Sequence, residues 1–178
     1  MPHYRRARTG GATYFFTVVT YRCQPLLTRP EAMDALREAF RSVKHAHPFE
    51  IDAVVILPDH LHTLWTLPLG DEDFSRRRAM IKRLVSRAAG HLAAPITASS
   101  MKARHESGFW QRRFWEHLIR DDEDYGRHMD YIHYNPVKHG YAKSPADWPH
   151  SSFRKCVERG IYPMDWASSV EIEGEFGE

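Results

Sequence analysis

His60 and His62 stand either side of a leucine in His60-Leu61-His62. On a β-strand, residues i and i+2 point the same way, so both imidazoles leave one face and can share a divalent cation. A chain with twelve histidines contains a His-x-His by chance about once, and a second one exists, His45-Ala46-His47. That pair falls at a helix end, where i and i+2 diverge by about 200°, which makes it a poor ligand pair. Tyr131 and Asn135 form the second constellation: four residues apart on a helix, they share a face one turn from each other. A tyrosine on an amphipathic helix also serves as core, and this one has rivals. Tyr134 pairs by spacing with Lys138, but Pro136 lies between them, and Tyr125 has only Met129 one turn on.

These residues need elements to hold them. Thr13 to Tyr21 is rich in β-branched and aromatic residues and reads as a strand. Pro30 opens a helix in which Met33, Leu36, Phe40 and Val43 recur at helical spacing, through about His45. Phe49 to Leu57 reads as a second strand and His60 to Leu67 as a third. Asp71 or Asp73 can cap a second helix with Phe74, Ile81, Leu84, Val85 and Ala88 on its apolar side. Gly90 to Ser107 lacks periodicity and reads as a loop; Phe109 to Ile119 reads as a bent fourth strand. Asp121 to Asp124 open a further helix, since acids stabilise its positive end. That helix is expected to stop near Asn135, because Pro136 disfavours helical backbone in the residue before it. Asp147 to Val157 reads as a loop and a short helix. The order β-α-β-β-α-β points to an α+β, ferredoxin-like antiparallel sheet with helices packed on one face, followed by a C-terminal helix carrying Tyr131.

The net charge of +2 is unevenly spread. From Arg76 to Arg120 there are eleven Lys/Arg against two acids, Glu106 and Glu116, whereas the last eight residues hold four acids and no base. A polyanion is the natural partner of such asymmetry. The second helix carries Arg76, Arg77, Lys82, Arg83 and Arg87 away from its apolar side, where they can track phosphates. Phe109, Trp110, Phe114 and Trp115 are interleaved with Arg112 and Arg113 and could stack unpaired bases. Strand alternation sends half of these aromatics to the core, so Trp110, Arg112 and Arg113 are expected to reach nucleic acid. Arg5, Arg6 and Arg8 add a smaller basic cluster.

The 178 residues suit one domain, expected over 1–167, with an acidic, flexible tail over 168–178. Apolar residues make up 42% and charged residues 27%, which excludes collagen-like, low-complexity and fully disordered chains. Two distant cysteines, Cys23 and Cys156, form no disulfide framework and fit a reducing cytosol. No apolar run approaches the roughly 18 residues of a membrane span.

The segments PDHLHTLWTLP, FWEHLIRDDEDYGRHMDYIHYNPVKHG and DWPHSSF together resemble the REP-associated tyrosine transposases, within the single-tyrosine HUH transposases (His-hydrophobic-His). The resemblance runs from the first strand to about Phe153. It implies that His60 and His62 are metal ligands, Asn135 a third ligand and Tyr131 the nucleophile; related insertion-sequence enzymes carry glutamine at the third-ligand position. It implies Mg²⁺ or Mn²⁺ as cofactor, single-stranded DNA bearing a palindromic hairpin as partner, and a bacterial cytoplasmic, nucleoid-associated setting without membrane contact. A homodimer is compatible with it. The chemistry implied is cleavage through a 5′-phosphotyrosine, which keeps the bond energy for rejoining. His128, one turn before Tyr131, is a candidate general base. Two other readings compete. One is a non-catalytic hairpin-binding protein on the same fold. The other is a small metal-dependent nucleotide hydrolase, which would show no covalent DNA adduct.

Overall fold

The computed structural model describes residues 11–95 and 108–167. Arg5, Arg6 and Arg8, most of the expected loop after Gly90, and the acidic tail lie outside the described residues. The elements in chain order are β1 (Thr13–Val19), α1 (Pro30–Ala46), β2 (Glu50–Ile56), β3 (His60–Thr66), α2 (Phe74–Ala89), β4 (Trp115–Leu118), α3 (Asp122–Lys138) and α4 (Phe153–Glu158). The sheet order is β2-β3-β1-β4, with every neighbouring pair antiparallel. This is the split β-α-β arrangement that the sequence implies.

Strand alternation divides β1 between two cores. Tyr14, Phe16 and Val18 join Leu61 and Trp65 against α1 and α2, whereas Phe15 joins Ala53, Val55 and Leu64 against α3 and α4. Helices therefore cover both faces: α1 and α2 pack on one, and the C-terminal helices on the other. That explains β3, which is buried from His60 to Trp65. Trp65 anchors the α1/α2 side, its ring centroid 4.6 Å from Phe49 and 4.8 Å from Phe16.

Two elements differ from their sequence reading. The fourth strand pairs regularly only over Trp115–Leu118, and Trp110 joins the sheet through a single bridge to Thr20. Phe109 and Trp110 are consecutive yet both buried in the same core. A regular strand cannot point neighbours the same way, so the chain bends there. The helix expected to end at Asn135 continues to Lys138 with Pro136 inside it. Its stop signal is Gly140, held at φ +72°. Tyr141 N–H bonds the Pro136 carbonyl at 2.8 Å and Gly140 N–H bonds the Val137 carbonyl at 2.9 Å. This pair of bonds closes the last turn around a left-handed residue. At the other end Asp121 caps α3, its carboxylate accepting from Asp124 N at 2.8 Å. Among the described residues no helix is long and apolar enough to cross a membrane.

Candidate functional site

The site lies where β3 meets α3. Opposite β3, the register pairs Val19 with His60 and Thr17 with His62. His60 and His62 both point to the α3 side, as the i, i+2 spacing requires. Their ring centroids are 4.9 Å apart. The Tyr131 ring sits 5.2 Å from His62, and the His139 ring sits 5.2 Å from His60. Asn135, fully buried, lies one helical turn from both Tyr131 and His139. The structure thus brings His60, His62 and Tyr131 together, with Asn135 on the same stretch of helix. Phe15 backs the group, 5.5 Å from His62 and 6.1 Å from Tyr131. The Lys138 ammonium stands 5.0 Å from the Tyr131 ring centroid, within cation–π range.

Each histidine is held from behind. The Asp59 carboxylate accepts from His60 Nδ1 at 2.7 Å. A proton on Nδ1 leaves the lone pair on Nε2, and that buried atom has no hydrogen-bond partner among the described residues. The Thr17 hydroxyl bonds His62 Nδ1 at 2.9 Å, orienting that ring as well. Two imidazole nitrogens and an amide oxygen would make a three-ligand N/O set that leaves coordination positions open, unlike a closed four-ligand structural zinc site. Asp59 was not singled out from the sequence, although its place directly before His60 is a signal that could have found it. Thr17 and His139 carry no such signal, since only strand register and the continued helix bring them in.

Among the described residues, neither rival tyrosine makes a ring contact with His60 or His62. Burial and the nearby Asp52 carboxylate push the Tyr125 phenol up to about 12. Tyr134 is half-buried, three residues beyond Tyr131. His128 is committed by packing: its ring stacks on His117 at 4.7 Å, and Nδ1 donates to the Asp124 carbonyl at 2.8 Å. Burial pulls its pKa down. His117, Asp124 and His128 offer donor atoms within 4.8 Å of one another. The Asp124 carboxylate is already taken by His117 Nε2 at 2.8 Å and Arg120 Nε at 3.0 Å. Burial pushes this carboxyl up, but those bonds outweigh it and hold it well below the usual carboxylate range. The cluster ties β4 to the start of α3.

The expected nucleic-acid residues divide. Arg76, Arg83, Arg87, Arg112 and Arg113 are exposed. Arg77 is not: it is 4% exposed. Its guanidinium donates to both Asp71 oxygens, at 3.1 and 2.5 Å, and to the carbonyls of His47, Pro48 and Asp73, at 3.1, 2.8 and 3.0 Å. All five N–H groups are used, so this arginine is a structural clamp rather than a phosphate contact. Lys82 is half-buried, its ammonium donating to the Gln111 carbonyl at 2.6 Å. Burial, with Arg78 nearby, pulls its pKa down to about 8. Trp110 is 8% exposed and its indole N–H donates to the Lys82 carbonyl; it is core, and the exposed indole is Trp115 at 48%. The basic helix α2 and the His60–Tyr131 site sit on opposite faces of the sheet.

No family model matches the chain. It is 47% identical over 171 residues to the REP-associated tyrosine transposase of Escherichia coli strain K12, covering 96% of this chain and 93% of that one. A Haemophilus influenzae protein given the same family name is 44% identical over 174 residues, with 97% of each chain covered. Among solved structures, the REP-associated tyrosine transposase bound to a REP hairpin superposes with a TM-score of 0.80 at 45% identity, covering 99% of this chain and 98% of that one.

Proposed function

Since the chain belongs to the REP-associated tyrosine transposases, we propose that it is a site-specific endonuclease and strand transferase that acts on single-stranded DNA at palindromic hairpins. The observation that carries this reading is the contact of the Tyr131 ring with His62, itself paired with His60. Tyr131 is the nucleophile. The phenol gives up its proton as its oxygen bonds to the scissile phosphorus, the bond to the 3′-oxygen breaks, and that oxygen takes up a proton and leaves as a 3′-hydroxyl. A later 3′-hydroxyl attacks the phosphotyrosine, restoring the strand and the phenol. No external energy source is needed, because each phosphodiester broken is matched by one formed.

His60, His62 and Asn135 would hold Mg²⁺ or Mn²⁺. The oriented Nε2 of His60, buried without a hydrogen-bond partner, supports that assignment. When bound, such a cation polarises the phosphate and draws charge from it. Asp59 and Thr17 fix the ring orientations. The basic surfaces supply the sequence-independent part of hairpin affinity. Tyr131 is 2% exposed and His62 is fully buried. The same burial favours the alternative, hairpin binding without cleavage.

The two readings separate on a denaturing gel. A labelled hairpin with single-stranded flanks is mixed with the protein and Mn²⁺ or EDTA, beside Tyr131→Phe and Tyr134→Phe. A metal-dependent covalent adduct lost only in Tyr131→Phe is expected. Tight binding with no adduct on any flanked hairpin would leave the binding-only reading.

A further inference from the structure

We propose that Trp115 is the platform on which an unpaired base of the substrate strand stacks, beside the phosphate presented to Tyr131. The inference rests on the single-strand reading above and adds the position that grips the strand next to the reacting group. Register carries it. Thr17 lies opposite His62 on one side and opposite Trp115 on the other. Directly opposite residues of antiparallel strands point to the same face. His62, Thr17 and Trp115 therefore form one row across the α3 side of the sheet, and the Thr17–His62 hydrogen bond shows the row's facing directly. With strands about 4.8 Å apart, Trp115 stands about 10 Å from His62 along the sheet. Exposure along the row rises from 0% at His62 and 3% at Thr17 to 48% at Trp115. In the adjacent row His117 lies under α3, stacked on His128. Trp115 is thus the open end of a row whose inner end is the histidine site.

Its neighbours suit a polyanionic strand. Arg112 and Arg113 are exposed just before it. Phe114 points to the other face and packs toward Phe16, with the Arg78 guanidinium 3.2 Å over its ring. That anchor lets Trp115 project without losing its place. Among the described residues Trp115 is the only large exposed hydrophobic within a strand. A bare indole on an edge strand leaves a flat aromatic face open to a stacking partner. The indole face accepts any base that is not already stacked in a duplex. Arginines beside it favour nucleic acid over a second copy of this basic edge.

The test uses full-length Tyr131→Phe protein, which binds without cleaving, and two hairpins, one blunt and one with single-stranded flanks. 2-Aminopurine is placed in turn at each flank position. Trp115→Ala is expected to weaken binding of the flanked hairpin about 10- to 100-fold and to leave the blunt hairpin unchanged. Trp115→Phe restores most of the loss. One 2-aminopurine position, next to the cleavage site, is quenched with Trp115 and not with Trp115→Ala. Equal affinity of both proteins for the flanked hairpin would overturn the proposal. So would a change in sedimentation of the free protein with DNA affinity untouched, which would make Trp115 a contact between copies. Because these readouts need no cleavage, they stand apart from the adduct assay: flank binding that depends on Trp115 without any adduct would refute the catalytic reading alone.

Discussion

Arg77 gives the sharpest separation between a basic residue that binds DNA and one that builds the fold. Replacing it with alanine removes a 4%-exposed cation whose donors all have acceptors. Breaking a buried ion pair by removing one partner costs about 3–5 kcal/mol. Asp71 is 31% exposed, and the residues carrying the three carbonyl acceptors are only partly covered, so water repairs some of the loss. The cost then falls at the low end, about 3 kcal/mol. With a urea slope of about 2 kcal/mol/M, the midpoint drops by about 1.5 M. Arg77→Lys keeps the charge but not the fork and falls between wild type and alanine. Arg76→Ala, one residue away and exposed, stays within about 0.5 kcal/mol. Tryptophan fluorescence in urea reads all three. An Arg77→Ala midpoint within about 0.3 M of wild type, with weaker hairpin binding and a shallower salt slope, would refute the clamp and restore Arg77 as a phosphate contact.

Other expectations concern the site and its supports. Asp59→Ala, which frees His60 Nδ1, lowers Mn²⁺ affinity about 10- to 100-fold by isothermal titration, with little change in hairpin binding. His133 is fully buried, and desolvation pulls its pKa down to about 4. Above pH 6.5 it is neutral folded or unfolded; below that the unfolded chain takes a proton that the fold refuses, so stability falls as pH drops toward 4. By pH 5 the loss is about 2 kcal/mol, measured as urea midpoints across pH, and His133→Gln removes that part of the slope. Trp110→Ala costs about 3–5 kcal/mol of stability in the same unfolding assay. Arg112→Ala with Arg113→Ala leaves stability alone and reduces the salt slope of hairpin binding by about 2.

The sequence was most legible where one local rule decided. Pro30 begins α1 and Asp73 caps α2, its carboxylate accepting from Arg76 N. The strand period put His60 and His62 on one face, and the helix period put Tyr131 and Asn135 on another. Legibility failed where tertiary contacts overrode those rules. Pro136 was read as a terminator, yet Gly140 and its hydrogen bonds set the helix end. Without that extension Lys138 and His139 would not reach Tyr131 and His60. Charge on α2 was read as a solvent face, and nothing in residue spacing tells Arg76 from Arg77; the difference lies in Asp71 and the α1–β2 carbonyls that meet Arg77. Trp110, expected to reach nucleic acid, is buried while Trp115 is exposed, because the chain bends between them, which alternation alone does not foresee.

If Tyr131 forms the covalent bond to DNA, that bond can be found directly. The adduct formed on a flanked hairpin is digested with nuclease and trypsin, and the peptide from His128 to Lys138, which holds both Tyr131 and Tyr134, is fragmented by mass spectrometry. A nucleotide phosphate is expected on Tyr131. A phosphate on Tyr134, or on a residue outside α3, would contradict it.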